Sequence, residues 1–148
     1  VSRVTPVFVD LVRVETRLYN AVNARLRAEL GLSLGQFEFL EIIDRVPGCR
    51  VLDLVGEVAI TVGAVSKAVD RLVAAGWCER VPHPQDRRSS VLRLTFQGER
   101  QLAAGRPVVE SELASLSSAV GAEDLARVAG TLSALRATLE AGSHGQPT

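Results

Sequence analysis

The stretch Thr61-Val-Gly-Ala-Val-Ser-Lys-Ala-Val-Asp-Arg-Leu-Val-Ala-Ala-Gly76 constrains this chain more than any other. At about 3.6 residues per turn, Val62, Val65, Ala68, Val69, Leu72 and Val73 fall on one arc. Gly63, Ala64, Ser66, Lys67, Asp70, Arg71 and Ala74 fall on the other. The first arc is a stripe that packs on a core. The second begins with very small residues, which permit close approach to another surface, and continues with a hydroxyl, an ammonium and a guanidinium. Such groups contact phosphates and base edges. Thr61 suits an N-cap and Gly76 the position just past a helix end, so both termini are marked. Alone, the stretch also fits a core helix with solvated charges; its neighbours in the chain decide between the two.

Upstream, the spacing predicts a helix from about Pro6 to Leu30, with Val7, Leu11, Val14, Leu18, Val22 and Leu26 inward and Gly31 closing it. Ser33 and Gln36 form a capping-box pattern. The helix it opens carries Phe37, Phe39, Leu40, Ile42, Ile43 and Val46, and Pro47-Gly48 ends it. Glu38, Glu41 and Asp44 read as its solvated face. A short helix over about Val51–Val58 follows, so the Thr61 helix is the second member of a helix-turn-helix. The N-terminal half of that second helix is the part that enters a DNA major groove.

Downstream, Trp77–Pro82 and Val91–Leu94 are predicted strands. Between them the polar run His83–Ser90 reads as a long cationic hairpin tip. A helix-turn-helix followed by such a hairpin is a winged helix, whose arginines suit a narrow, electronegative minor groove. Thr95 is expected to cap a helix reaching about Val120, kinked or briefly broken at Gly105 and Pro107. A last helix over about Ala122–Ala141 has Leu125, Val128, Leu132, Leu135 and Leu139 on an a/d seam suited to the first helix or a partner's.

The fold class expected is mainly α with a small β-hairpin wing. Residues 1–32 and 96–141 form a helical dimerisation region, 33–95 a winged helix-turn-helix, and 142–148 a disordered tail.

Composition limits the alternatives. The chain has 148 residues and a formal net charge of zero, so affinity for nucleic acid has to come from a local cationic patch. No apolar run is long enough to span a bilayer, and no secretory-signal pattern opens the sequence. Two cysteines, Cys49 and Cys78, suggest no disulfide framework and fit the cytoplasm. His83 and His144 lack ligand spacing to either cysteine, so no metal or cofactor is expected. No phosphate loop, nucleophile elbow or catalytic dyad is present, which argues against an enzyme. Cys49, followed by Arg50, is the candidate redox thiol, on the expectation that the arginine lowers its pKa. Cys78 reads as a packing residue.

Val69-Asp70-Arg71-Leu72, Gly76-Trp77, Glu79-Arg80, Pro82, Pro84, Asp86-Arg87-Arg88, Leu94-Thr95 and Gly98 together resemble the MarR family of bacterial transcription regulators. The resemblance implies a homodimer that binds double-stranded DNA at a pseudo-palindromic operator, usually as a repressor. It also implies release by a small aromatic or anionic effector. By the same resemblance Arg88 matches the minor-groove arginine of the wing, and Asp86 the acid that holds it in place. Ser66 and Lys67 match the recognition-helix pair. Thr61, Gly63, Ala64, Arg71 and Arg87 complete the expected DNA-binding set. Gly63 and Ala64 depart from the polar residues common at their positions, although Ala64 suits a thymine methyl. Those departures keep open a winged-helix interaction module that no longer binds DNA, beside a thiol-based redox-sensing regulator.

Overall fold

The structure, a computed structural model, describes residues 3–58 and 60–143. Its elements run α1 (Val4–Leu30), α2 (Leu34–Arg45), α3 (Val51–Val58), α4 (Val62–Ala74), β1 (Cys78–His83), β2 (Asp86–Leu94), α5 (Phe96–Leu116) and α6 (Ala122–Ser143). The fold is mainly α with one antiparallel hairpin. The chain divides into two units, residues 1–113 and 114–148.

Local signals set most element ends in the first unit. Gly31 takes the left-handed conformation and its N–H donates to Arg27 O, closing α1. At α2, Ser33 Oγ accepts the Gln36 N–H while Gln36 Oε1 accepts the Ser33 N–H, a reciprocal cap. Asn23 Oδ1 of α1 accepts the Leu34 N–H, tying the two helices where they meet. Thr61 Oγ1 accepts the Ala64 N–H at the start of α4. At its end Gly76 N donates to Val73 O and Trp77 N to Leu72 O, the double bond of a Schellman motif. Gly76 has φ +77°, a conformation that costs other residues strain.

The core collects Leu26 from α1, Leu40 from α2, Leu54 from α3, Val65, Val69 and Leu72 from α4, Leu92 from β2 and Leu102 from α5. β2 is also held to the turn before α3, where Leu92 N donates to Cys49 O at 2.7 Å. Arg106 of α5 reaches Glu41 with two nitrogens and Asp44 with one, at 2.8 to 3.1 Å. These carboxylates raise its pKa by accepting its hydrogen bonds. Glu41 and Asp44 therefore anchor a partner helix; the expectation of a merely solvated face is corrected.

Several other expectations change. The inward stripe of α1 is buried only in its C-terminal half, at Val22 and Leu26; Val7, Phe8, Leu11 and Val14 lie open. Periodicity finds an apolar face but not what covers it. On α4, Val62 and Val73 sit at the stripe's margins and are exposed. α5 runs without interruption through Gly105 and Pro107 and ends at Leu116, with turns in place of the expected last helical residues. The proline ring removes one donor, and the carbonyl it frees, on Ala103, lies on the exposed side of the helix. The hairpin is tighter than its composition suggests. β1 continues through Pro82 to His83, β2 starts at Asp86, and only Pro84 and Gln85 form the turn. The pairing slips between Pro82, opposite Ser90, and His83, opposite Asp86. Proline cannot donate to a ladder, and a bulge is where a strand tolerates it.

In the second unit, α6 is exposed from Ala122 to Gly142, including the seam residues Leu125, Val128, Leu132, Leu135 and Leu139. Gly142 and Ser143 belong to α6, which corrects the expected tail at those two positions; residues 144–148, His144 included, lie outside the described residues. No helix among the described residues is long and apolar enough to cross a membrane.

Candidate nucleic-acid interface

α4 turns its core residues Val65, Val69 and Leu72 inward, which places the intervening residues on the surface. Gly63, Ala64, Lys67 and Arg71 are exposed, and Ser66 is half-buried. Thr61, at the head of the helix, is exposed while its hydroxyl oxygen caps. A Cβ added at Gly63 would meet nothing within 4 Å, so the first turn presents an open, shallow surface. Asp70, the acid on this face, is not left bare: Arg80 of β1 binds its Oδ1 at 2.6 Å. That pair offsets the one negative charge between Lys67 and Arg71 and couples α4 to the wing's first strand. The sequence reading missed it, because ten residues and a turn separate the partners.

At the wing tip, Asp86 Oδ1 accepts the Arg88 N–H at 3.0 Å, and His83 Nδ1 accepts the Gln85 N–H at 3.1 Å. These side chains supply partners that the slipped ladder leaves out. Asp86 thus fixes the backbone from which the Arg88 side chain projects. Arg87 and Arg88 are exposed. Further down the hairpin, Arg93 pairs with Glu79 at 3.2 Å. Among the described residues, Lys67, Arg71, Arg87 and Arg88 form no ion pair, as is also true of Arg3, Arg13, Arg17, Arg27, Arg50 and Arg100, whereas Arg25, Arg45, Arg80, Arg93, Arg106, Arg127 and Arg136 each do. In a chain of zero net charge, α4 and the wing tip therefore present uncompensated cations. That is the local patch a polyanion requires.

Cys49 stands apart from this surface. It is 1% exposed, within the core cluster. Burial pushes its thiol up to about 11, reinforced by Asp53, and Arg45 offsets this only in part. The expected lowering by Arg50 is therefore corrected: desolvation outweighs a neighbouring cation, and the thiolate that oxidants attack is suppressed. Cys78 is buried as well, and its pKa is raised chiefly by burial. We predict that iodoacetamide leaves Cys49 unmodified in the folded protein at pH 8 and labels it once urea unfolds the chain. Rapid labelling of the native state would restore the thiol-switch reading. Because the folded pKa lies above the unfolded one, the linked stability is complete below pH 9 and is lost as the pH rises towards 11. Among the described residues, no group of His, Cys, Asp and Glu side chains could hold a metal ion.

Residues 32–90 match the model described as the MarR family. The regulator BilQ of Clostridium symbiosum is 36% identical over 70 residues, covering 47% of this chain and 49% of BilQ. The multiple antibiotic resistance protein MarR of Escherichia coli is 33% identical over 69 residues, covering 47% of this chain and 48% of that protein. The chain thus spans about half the length of the curated relatives it matches. Among solved structures, the repressor CouR bound to a 23-mer DNA duplex superposes with a TM-score of 0.79 at 25% identity, over 86% of this chain and 89% of CouR. A cysteine-to-serine mutant of E. coli MarR complexed with operator DNA gives a TM-score of 0.82 at 24% identity, over 89% and 94%, a likeness of fold.

Proposed function

We propose that this chain, a member of the MarR family through its residues 32–90, is a DNA-binding transcriptional regulator that reads a pseudo-palindromic operator as a homodimer and acts as a repressor in the cytoplasm. One observation carries the reading: Lys67 and Arg71 on α4, and Arg87 and Arg88 on the wing, are exposed and free of ion pairs among the described residues, while the acid between the first two is already paired with Arg80. BilQ is named as a transcriptional regulator and CouR as a transcriptional repressor, and CouR and a mutant of E. coli MarR are each seen on DNA.

In this reading residues 33–95 bind DNA. Residues 1–32 and 96–141 form the dimer base, where the open apolar residues of α1 and the seam of α6 give a second copy something to bury. A hollow of about 410 Å³ is lined by Trp77, Arg100, Gln97 and Gln101, an indole, a guanidinium and two amides that suit a small aromatic anion acting as effector.

The test is a mobility shift of the purified protein on the DNA upstream of its own gene at about 50 and about 200 mM salt. If Lys67, Arg71, Arg87 and Arg88 of each subunit meet phosphates, the dimer makes roughly eight such contacts, and affinity should fall by about 10⁴-fold between the two conditions. Salicylate at millimolar concentration should weaken the same shift. A salt-independent shift, or none with folded dimer, overturns the reading.

A further inference from the structure

A concavity of about 320 Å³ opens beside the outer face of α4, bordered by Arg71 of that helix, Arg27 of α1, Ser33 and Gln36 at the start of α2, and Phe39 and Ala68. We propose that this concavity is a second oxyanion site, clamping one backbone phosphate of the DNA between Arg27 and Arg71, so that α1 as well as the winged segment holds the duplex. The proposal rests on the DNA-binding reading above and extends it to a residue outside segment 33–95.

Charge is the first argument. Both arginines are exposed, neither forms an ion pair among the described residues, and no carboxylate borders the concavity. Two like charges sharing a rim repel, and an oxyanion between them removes that repulsion. Rigidity is the second. The Ser33–Gln36 cap and the Asn23–Leu34 hydrogen bond fix the start of α2, which borders the concavity, and the buried Phe39 lines it too. The Ser33 hydroxyl accepts in that cap, which leaves its own O–H available to donate. Continuity is the third, and it selects DNA over a free ion. Arg71 lies one turn beyond Lys67 on the same face of α4, so a duplex laid along that face carries its phosphates past the concavity.

Arg27→Gln tests the site. Its guanidinium forms no hydrogen bond or ion pair among the described residues, so the fold should survive, as circular dichroism can verify. Affinity is measured by fluorescence anisotropy against salt, on the upstream fragment and on a random-sequence duplex of about 30 base pairs. The variant should weaken binding about tenfold on both duplexes alike. It should also reduce the slope of log K against log salt by about 1 to 2, the loss of one phosphate contact per subunit. Arg13→Gln, on the exposed N-terminal half of α1, should change neither. An unchanged slope in Arg27→Gln, with Arg88→Ala still weakening DNA binding, overturns the clamp and leaves the regulator reading standing. If inorganic phosphate at about 10 mM binds the wild-type protein, and Arg27→Gln abolishes that without altering DNA affinity, the concavity serves a free anion and the DNA assignment is wrong. If the wild-type protein binds neither duplex, clamp and reading fall together.

Discussion

Arg88→Ala is expected to lower operator affinity by about a hundredfold or more while the protein stays folded and keeps the oligomeric state of the wild type. A side chain inserted into a groove gains two things at once: the removal of counterions from nearby phosphates and hydrogen bonds at the groove floor, together worth roughly 1–3 kcal/mol per subunit. In the proposed dimer the residue is used twice, so losing it compounds. Nothing in the fold depends on its guanidinium, which is exposed and forms no ion pair among the described residues. Its backbone does matter, because Asp86 Oδ1 holds the Arg88 N–H. That hydrogen bond separates two views of Asp86. If the carboxylate acts chiefly through its charge, repelling phosphates, both Asp86→Ala and Asp86→Asn should improve binding. If it acts by holding the wing, Asp86→Asn, which keeps an acceptor, should bind as well as wild type or better, while Asp86→Ala should bind worse. We expect the second pattern, since the acceptor distance is that of a formed hydrogen bond. Arg93→Ala is the control: its partner Glu79 already takes up its charge, and affinity should change less than threefold or so. An Arg88→Ala protein that binds like wild type would mean that the wing does not touch DNA.

The legible parts of this molecule are those written in short-range chemistry. Ser33 with Gln36, Thr61 with Gly76, and the limits of α3 each depend on signals local to one element, and the structure places them as the sequence predicts. The outward face of α4 is legible for the same reason, because a helix converts spacing into direction. What stayed hidden depends on contacts distant in sequence. The register slip at Pro82 shortens the hairpin turn to Pro84 and Gln85, yet the polar run from His83 to Ser90 reads as loop whether or not it pairs. Asp70 finds Arg80, and Glu41 and Asp44 find Arg106, only after the chain has folded back. Cys49 shows the limit most plainly. Its neighbour Arg50 suggests a low pKa, but the core that closes over it sets the opposite. Local sequence reports which charge is adjacent, and tertiary packing decides how much water remains.

Gly98→Ala should destabilise the fold by about 3 kcal/mol or more, a drop of roughly 10 °C in Tm for a chain of this size. The reason is a backbone approach that a methyl group forbids. A Cβ at position 98 would lie 1.9 Å from Trp77 O, 2.8 Å from Trp77 C and 3.2 Å from Trp77 Cα. These are backbone atoms held from both sides, so they cannot swing away as a side-chain end would. Thr95 N donates to Trp77 O at 3.1 Å, and Thr95 Oγ1 donates to Gly76 O at 2.6 Å while accepting the Gly98 N–H at 3.0 Å. The start of α5 is thereby bolted to the turn that ends α4 and begins β1. Opening that joint by more than an ångström breaks these bonds or displaces Trp77. The comparison that isolates the effect is Gly56→Ala, in α3 of the same unit, where an added Cβ meets nothing within 4 Å. There the backbone-entropy cost of glycine is simply relieved, and stability should rise by about 0.5–1 kcal/mol. Opposite signs for the same chemical change, read from urea unfolding of the two variants, are the expected result. Equal shifts would mean that α5 does not seat on the Gly76–Trp77 turn. The consequence should reach DNA binding too, because α4 and the wing diverge from that turn and keep their mutual angle only while Gly98 lets α5 close against it.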